Sequence, residues 1–336
     1  IRRRRRGHDF LANYHRALAP ALAGEVDLVV HGGDVFHRPR VHPTLAAQGL
    51  EPLRRVAETG VPVFVVPGNH ERSRIPHSRF AAHPAVRIFD RPRSFHVDVG
   101  GCRVALVGFP YERHDVRRRF GALVATTGWR PGEADVSLLC VHHCFEGATV
   151  GPADYTFRGA ADVIRCADIP EGVTAVLTGH VHRHQVLTSD LVGRPLAAPV
   201  LYPGSVERTA FAEMGEPKGY VLLDVETGPG AGRPPARWRF RELPARPMVS
   251  TDVSGNGLGA AALAREIEAA VARAPADAVL RIRIHGRIGS DARPVLGAAR
   301  LRAVAPPTMN LDVVLVDEPR AWGRGRSATP AVGASA

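Results

Sequence analysis

Asp34 in the turn GGD, Asn69 and His70 in GNHE, the pair His142 and His143, and His180 and His182 in GHVH are the residues whose types and spacing could do chemistry. A carboxylate, a neutral amide oxygen and several imidazoles make a donor set suited to divalent metal. Two such ions about 3.5 to 4 Å apart stabilise both the attacking and the leaving oxygen when a phosphoester is hydrolysed. Residues two apart in an extended segment project to the same side, so His180 and His182 can each reach one of two adjacent ions. Gly68 and Gly179 let the backbone come close to the metals with no side chain in the way. His70 is then left for the substrate, to stabilise the transition-state phosphate or to protonate the leaving oxygen. A lone histidine is more often an ordinary surface or core residue, and GD or GNH alone is a weak signal. The ordered series carries the reading.

Each of these groups follows a short apolar run. Val26–Val30 leads to GGD, Val61–Val66 to PGNH, Val136–Val141 to His142 and His143, and Thr174–Thr178 to GHVH. Short, nearly continuous hydrophobic stretches suit strands buried on both faces of a sheet covered by helices. Ligands of open α/β sheets bind beyond the C-terminal ends of the strands, which is where the polar groups fall. Phe10–Leu22 has helical apolar spacing and Gly24 is its stop signal. His31 reads as structural.

The 336 residues contain 45% hydrophobic and 23% charged residues, enough apolar material for one large domain and a smaller one. No apolar stretch approaches the roughly 18 residues of a membrane span. Cys102, Cys140, Cys144 and Cys166 form no CxxC pair and read as structural, in a reducing, cytoplasmic setting. The formal charge is +11, and Lys218 is the one lysine among 44 basic residues. Residues 1–230 carry 28 basic and 24 acidic side chains, a balance of +4, whereas residues 231–336 carry 16 and 9, a balance of +7. Arginine forks grip phosphate oxygens, which suits a polyanionic partner; a compositional bias toward arginine explains the same numbers. The Gly/Pro-rich stretch after Val225 is the best boundary candidate. Beyond it Ala261–Ala272 reads as an amphipathic helix, and 278–286 alternates with Leu280, Ile282 and Ile284 on one face and Arg281 and Arg283 on the other.

The series GD, GNHE, H and GHVH resembles the calcineurin-like metallophosphoesterases. GGDVFHR, HHCFEGATVGPADYTFRGA and LYPGSVERTAFAEMGEPKGYVLLDV narrow the resemblance to the SbcD exonuclease family, over roughly residues 1 to 230 and more weakly through ELPARPM. The implied fold is an α/β metallophosphoesterase sandwich with a smaller α+β C-terminal capping domain. Its divisions are a catalytic domain at 1–228, a linker at 229–240, a DNA-capping domain at 241–322 and a disordered tail at 323–336. The resemblance makes Asp34 the bridging carboxylate, Asn69, His142 and His180 ligands of one ion, and His182 a ligand of the other. It makes His70 catalytic and sets His37 near the substrate. His143 falls where relatives commonly carry glutamine, although His143 rather than His142 as ligand stays open, since adjacent strand residues face opposite ways.

What the resemblance further implies is a Mn²⁺-dependent nuclease with two ions, acting on double-stranded DNA ends in break repair. It would work with an SMC-like ATPase subunit, as a homodimer, in the cytoplasm near the nucleoid. Arg38, Arg72, Arg208, Arg281 and Arg283 are candidate DNA contacts. The PGSVER turn is expected mainly to pack, and Arg2–Arg6 read equally as a phosphate grip or a solvated helix start. Family members open with a strand ending in Asp-x-His, for which this sequence has no counterpart. The expectation is therefore a first ion left with Asp34 and His182 alone, a nearly inactive chain and an active parent. The alternatives are a small-molecule phosphodiesterase or phosphatase on the same fold, and a non-catalytic DNA-binding scaffold.

Overall fold

The computed structural model describes residues 6–71, 78–226 and 235–316. Arg72, Arg2–Arg5, residues 229–234 of the expected linker and the tail at 323–336 lie outside the described residues. The chain divides into two compact units, one running to Arg246 and one starting at Pro247.

In the larger unit the elements follow the order α1 (Arg6–Leu22), β1 (Val29–His31), α2 (Pro43–Glu58), β2 (Val63–Val65), α3 (Ser78–Ala81), β3 (Val86–Ile88), β4 (Arg93–Val99), β5 (Cys102–Gly108), α4 (Val116–Thr126) and β6 (Val136–Val141). Short strands β7 (Cys144–Phe145), β8 (Thr149–Val150), β9 (Tyr155–Thr156) and β10 (Val163–Ile164) come next. The unit closes with β11 (Ala175–Thr178), β12 (Gln185–Ser189), β13 (Pro195–Tyr202), β14 (Gly219–Val225) and β15 (Ala236–Glu242).

Strands β1, β2 and β3 form a parallel sheet, and a second sheet has the order β12-β13-β11-β6-β5-β4 with antiparallel outer pairs and a parallel centre. The two sheets share a core: Phe64, Val66 and Phe89 of the first pack with Leu106, Leu138, Cys140 and Leu201 of the second. Helices α1 and α2 cover the outer face of the first sheet through Leu18, Leu50, Leu53 and Val56. Phe120 and Val124 of α4 cover the second through Val107, Leu139 and Val141. Every residue of β2 and β6 is buried, as their nearly continuous apolar composition requires of strands covered on both faces. The result is a four-layered sandwich of the expected α/β class.

The domain division differs from the expectation. Strand β15 starts inside the expected linker, runs two residues into the expected capping domain, and pairs antiparallel with β14 from Gly219/Glu242 to Val225/Ala236, while Leu223, Val225 and Trp238 pack on the core between the sheets. The turn-rich composition after Val225 therefore connects a hairpin within one unit, and the division falls at Arg246–Pro247. Arg246 is held on the larger unit's side by a buried ion pair to Asp9 of α1 at 3.0 Å and by its N–H donating to Glu207 at 3.2 Å.

The smaller unit contains β16 (Met248–Ser254), α5 (Ala260–Arg273), β17 (Val279–His285), α6 (Ala298–Val304) and β18 (Asn310–Val316). Its three strands pair in parallel, each joined to the next through a helix, so strands and helices alternate more regularly than the α+β expectation implied. Leu280, Ile282 and Ile284 are fully buried against Leu263 and Ile267 of α5. The alternate positions Arg281 and Arg283 stay on the other face, as the period-2 pattern demands.

Candidate metal centre

The loops after β1, β2, β6 and β11 carry the residues singled out from the sequence. One ligand atom each from Asp34, His142 and His180 lies within 4.8 Å of the others. Asn69 completes the group, its Oδ1 standing 3.1 Å from His142 Nε2 and 3.1 Å from His180 Nδ1. Asp34 (φ 55°) and His180 (φ 72°) both adopt left-handed backbone, which non-glycine residues avoid unless the surroundings impose it. The close approach of the loops imposes it. A Cβ at Gly68 would overlap Asp34 Oδ1, and one at Gly179 would overlap the Gly32 carbonyl.

The hydrogen bonds define what the centre accepts. His142 Nδ1 donates to the Gly32 carbonyl at 2.5 Å, so one ring proton sits there and Nε2 faces inward. Nε2 then meets Asn69 Oδ1 at 3.1 Å and Asp34 Oδ2 at 3.2 Å, both acceptors. Lone pairs facing one another this closely require a second proton or a cation among them, and the donor types are those of a divalent metal. Burial holds His180 down at about 4, with the His142 charge adding to the effect. For Asp34 burial pushes upward, but the hydrogen bond and charge of His142 and the His70 N–H outweigh it, keeping the carboxyl below its ordinary range. A neutral imidazole and an ionised carboxylate are the states that ligate metal.

His70 donates its backbone N–H to Asp34 Oδ1 at 3.1 Å, and its Nε2 stands 3.9 Å from Asp34 Oδ2. The exposed His37 ring lies 4.8 Å from the His70 ring, so the two form one imidazole edge beside the ligands. His143 turns the other way: its buried Nε2 accepts the Glu112 N–H at 2.9 Å and its ring stacks on Tyr111. Burial holds it down at about 3. This geometry favours His142 over His143 as the inward-facing group. His182 stands outside the three-residue cluster, its Nδ1 directed to Glu213 Oε1 at 2.9 Å.

Other sequence-selected residues are placed differently. His31 is structural, with Nδ1 accepting the Gly33 N–H at 3.1 Å. Arg208 spans the carbonyls of Glu216 and Arg246, so the PGSVER turn packs as expected and this guanidinium is engaged within the fold. Arg281 holds Asp312 at 2.7 Å and Arg283 lies 3.6 Å from Asp252, while Arg38 is exposed. None of the four cysteines is in a disulfide, and burial pushes Cys144 and Cys166 up to about 12.

Sequence reasoning passed over three supporting residues. Glu71, the last letter of GNHE, is buried and accepts N–H groups from Phe36 at 3.2 Å and Gly68 at 3.0 Å, clasping the two loops that carry Asp34 and Asn69. Tyr111 walls the site, its ring 6.0 Å from His180 and 6.2 Å from His142. Glu213 is held down at about 2 because hydrogen bonds from His182, Thr209 and Lys218 outweigh the upward push of burial. Only Glu71 had a local signal, its position in the motif.

A family model described as calcineurin-like phosphoesterase matches residues 6–184, the segment holding Asp34, Asn69, His142, His180 and His182. The chain is 33% identical over 262 residues to the DNA double-strand break repair protein Mre11 of Haloferax volcanii, covering 75% of this chain and 51% of that protein. It is 23% identical over 332 residues to the protein of the same name from Aeropyrum pernix, covering 92% and 74%. The Methanopyrus kandleri Mre11 is 25% identical over 249 residues, covering 67% and 51%. The chain thus spans about half the length of the first and third of these relatives. With a family match over more than half the sequence and the candidate metal-ligating series gathered at the strand ends, the chain belongs to the calcineurin-like phosphoesterases.

Proposed function

We propose that the chain is the catalytic part of a metal-dependent nuclease that hydrolyses phosphodiester bonds at double-stranded DNA ends. The observation that carries this reading is the convergence of Asp34, Asn69, His142 and His180 beside the paired rings of His70 and His37. The DNA substrate rests on relatives named as DNA double-strand break repair proteins. Asp34, Asn69, His142 and His180 would hold one divalent ion, and Asp34 and His182 would contribute to a second, with Mn²⁺ the proposed metal. Bound there, the pair would neutralise phosphate charge and lower the pKa of water.

The chain's own residues supply the rest. His70, anchored by its N–H to Asp34, keeps its ring free to hold a proton for the leaving oxygen. His37 stands beside it, where it can orient a phosphate oxygen. Asp34 stays ionised and His180 neutral across the physiological range, so no proton must leave either before metal binds. Tyr111, stacked on His143, forms one wall beside the ligands. Cooperation with an SMC-like ATPase, homodimerisation, a capping role for the smaller unit and a cytoplasmic, nucleoid-associated location are parts of the same proposal. No described helix is long and apolar enough to cross a membrane.

The test is Mn²⁺-dependent degradation of end-labelled linear duplex by the full-length protein and its His70→Ala variant. Degradation lost in the variant supports the nuclease and the role of His70. Intact metal binding with no degradation, the ATPase partner present, would refute it; turnover of nucleotide monoesters instead would point to a small phosphoester substrate.

A further inference from the structure

Lys218 is fully buried, and its Nζ donates to three acceptors: the His182 carbonyl at 2.8 Å, Glu213 Oε2 at 2.9 Å and Glu216 Oε2 at 3.0 Å. An ammonium has three protons to donate, so the group is saturated. The other oxygen of Glu213 faces His182 Nδ1 at 2.9 Å. Thr209 fixes the same carboxylate from two sides, its N–H donating to Oε2 at 3.0 Å and its hydroxyl to Oε1 at 2.5 Å. An ionised carboxylate only accepts, so His182 must carry a proton on Nδ1, which leaves Nε2 with its lone pair. Glu216, the third acceptor, is itself anchored by Arg183 Nε at 3.0 Å.

We propose that Lys218 is a positioning residue that sets which nitrogen His182 presents, acting through the Glu213 carboxylate and the His182 carbonyl. The purpose rests on the metal-dependent reading of the site; the geometry stands apart from it. Filling a core does not call for an ammonium, since a buried charge needs its partners to offset the cost of its desolvation. Composition sharpens the point, because 44 basic residues include a single lysine and it occupies this position. A planar guanidinium spreads its donors over a fork and cannot aim three N–H groups from one atom at three converging acceptors. Thr209, Glu213, Glu216 and Lys218 lie beyond the segment 6–184 that the calcineurin-like model matches.

The experiment reads the ring nitrogens of histidine-labelled (¹⁵N) full-length protein in EDTA by long-range ¹H–¹⁵N NMR, with His182 assigned from a His182→Gln spectrum. The expected wild-type result is one form of His182, protonated on Nδ1. Lys218→Met is expected to lose that single form in favour of a mixture reaching the Nε2–H form, while His142, fixed by the Gly32 carbonyl, is unchanged and serves as internal control. A folded Lys218→Met protein, judged by near-UV circular dichroism, with an unaltered His182 signal would overturn the proposal. Should that variant not fold, Lys218→Arg keeps the charge and decides: loss of the single His182 form supports the positioning role, and a wild-type spectrum overturns it. Mn²⁺ binding and duplex hydrolysis are measured on the same wild-type sample. Absence of both alongside the expected His182 form would sink the functional reading and leave the positioning role standing.

Discussion

Replacing Glu71 isolates the contribution of the clasp between the two ligand loops. Its carboxylate is 2% exposed and accepts the Phe36 and Gly68 N–H groups, one on each oxygen. In Glu71→Ala both donors stay buried with no acceptor, and each unsatisfied group costs about 1–3 kcal/mol, so the loss is about 2–6 kcal/mol. Against a typical domain stability of about 5–15 kcal/mol that is a large fraction. Glu71→Gln keeps the shape and one acceptor oxygen but turns an amino group toward the other N–H, for an expected cost of about 1–3 kcal/mol. Urea unfolding in EDTA, followed by far-UV circular dichroism, gives both differences. Mn²⁺ titration calorimetry on whatever remains folded is expected to show about 10- to 100-fold weaker binding, because Asp34 and Asn69 are no longer held in register. A Glu71→Ala protein within about 0.5 kcal/mol of wild type, the range of an ordinary surface change, would refute the clasp.

Other outcomes follow from the same geometry. His143 falls from an ordinary 6.5 to about 3 in the folded protein, so the unfolded chain binds the proton first. Its stabilisation is full above about pH 6.5 and declines as pH drops toward 3; the loss between pH 7 and 5 is about 2 kcal/mol by linkage. His143→Gln, compared with wild type by denaturant unfolding in EDTA at both pH values, is expected to escape that loss, and equal losses would contradict the buried neutral ring. Gly68→Ala should destabilise the metal-free protein by about 1–3 kcal/mol and weaken Mn²⁺ binding in titration, because the new methyl overlaps the Asp34 carboxylate. Arg281→Ala with Arg283→Ala should leave the salt dependence of duplex affinity nearly unchanged in fluorescence anisotropy, since Asp312 and Asp252 stand beside these charges. A slope reduced by about 0.9 per arginine would show that they grip phosphates instead.

The ligand loops were legible because their signals are local. Each apolar run ends within a few residues of its polar group, and β2, β6 and β11 formed inside the runs that announced them. The alternation around Leu280, Ile282 and Ile284 likewise marks the buried face of β17 by its period alone. The supporting shell was not legible for a physical reason: His182 and Glu213 are 31 positions apart and meet only because the chain after β13 returns to the sheet ends. Composition also misled at the boundary. Glycine and proline after Val225 mark a break in regular structure, but a break between paired strands and a break between units have the same composition. The buried partners of Arg246 and the β14–β15 pairing distinguish them, and both are long-range. Arg208 misled in the same manner, because a cation reads from sequence as a free charge until its carbonyl partners are known.

Burial of the only lysine in these 336 residues gives the protein a built-in gauge of its own opening. Acylating reagents need an amine that they can reach, and Nζ of Lys218 is out of reach while its three acceptors surround it. Labelling by an activated ester must therefore wait for local unfolding, and its rate follows the opening equilibrium of the segment that supports His182. One mass increment on one peptide would report it, with no other lysine among these 336 residues to compete. The same arrangement shields this stretch, while folded, from cellular enzymes that mark proteins by acetylating or ubiquitinating lysine.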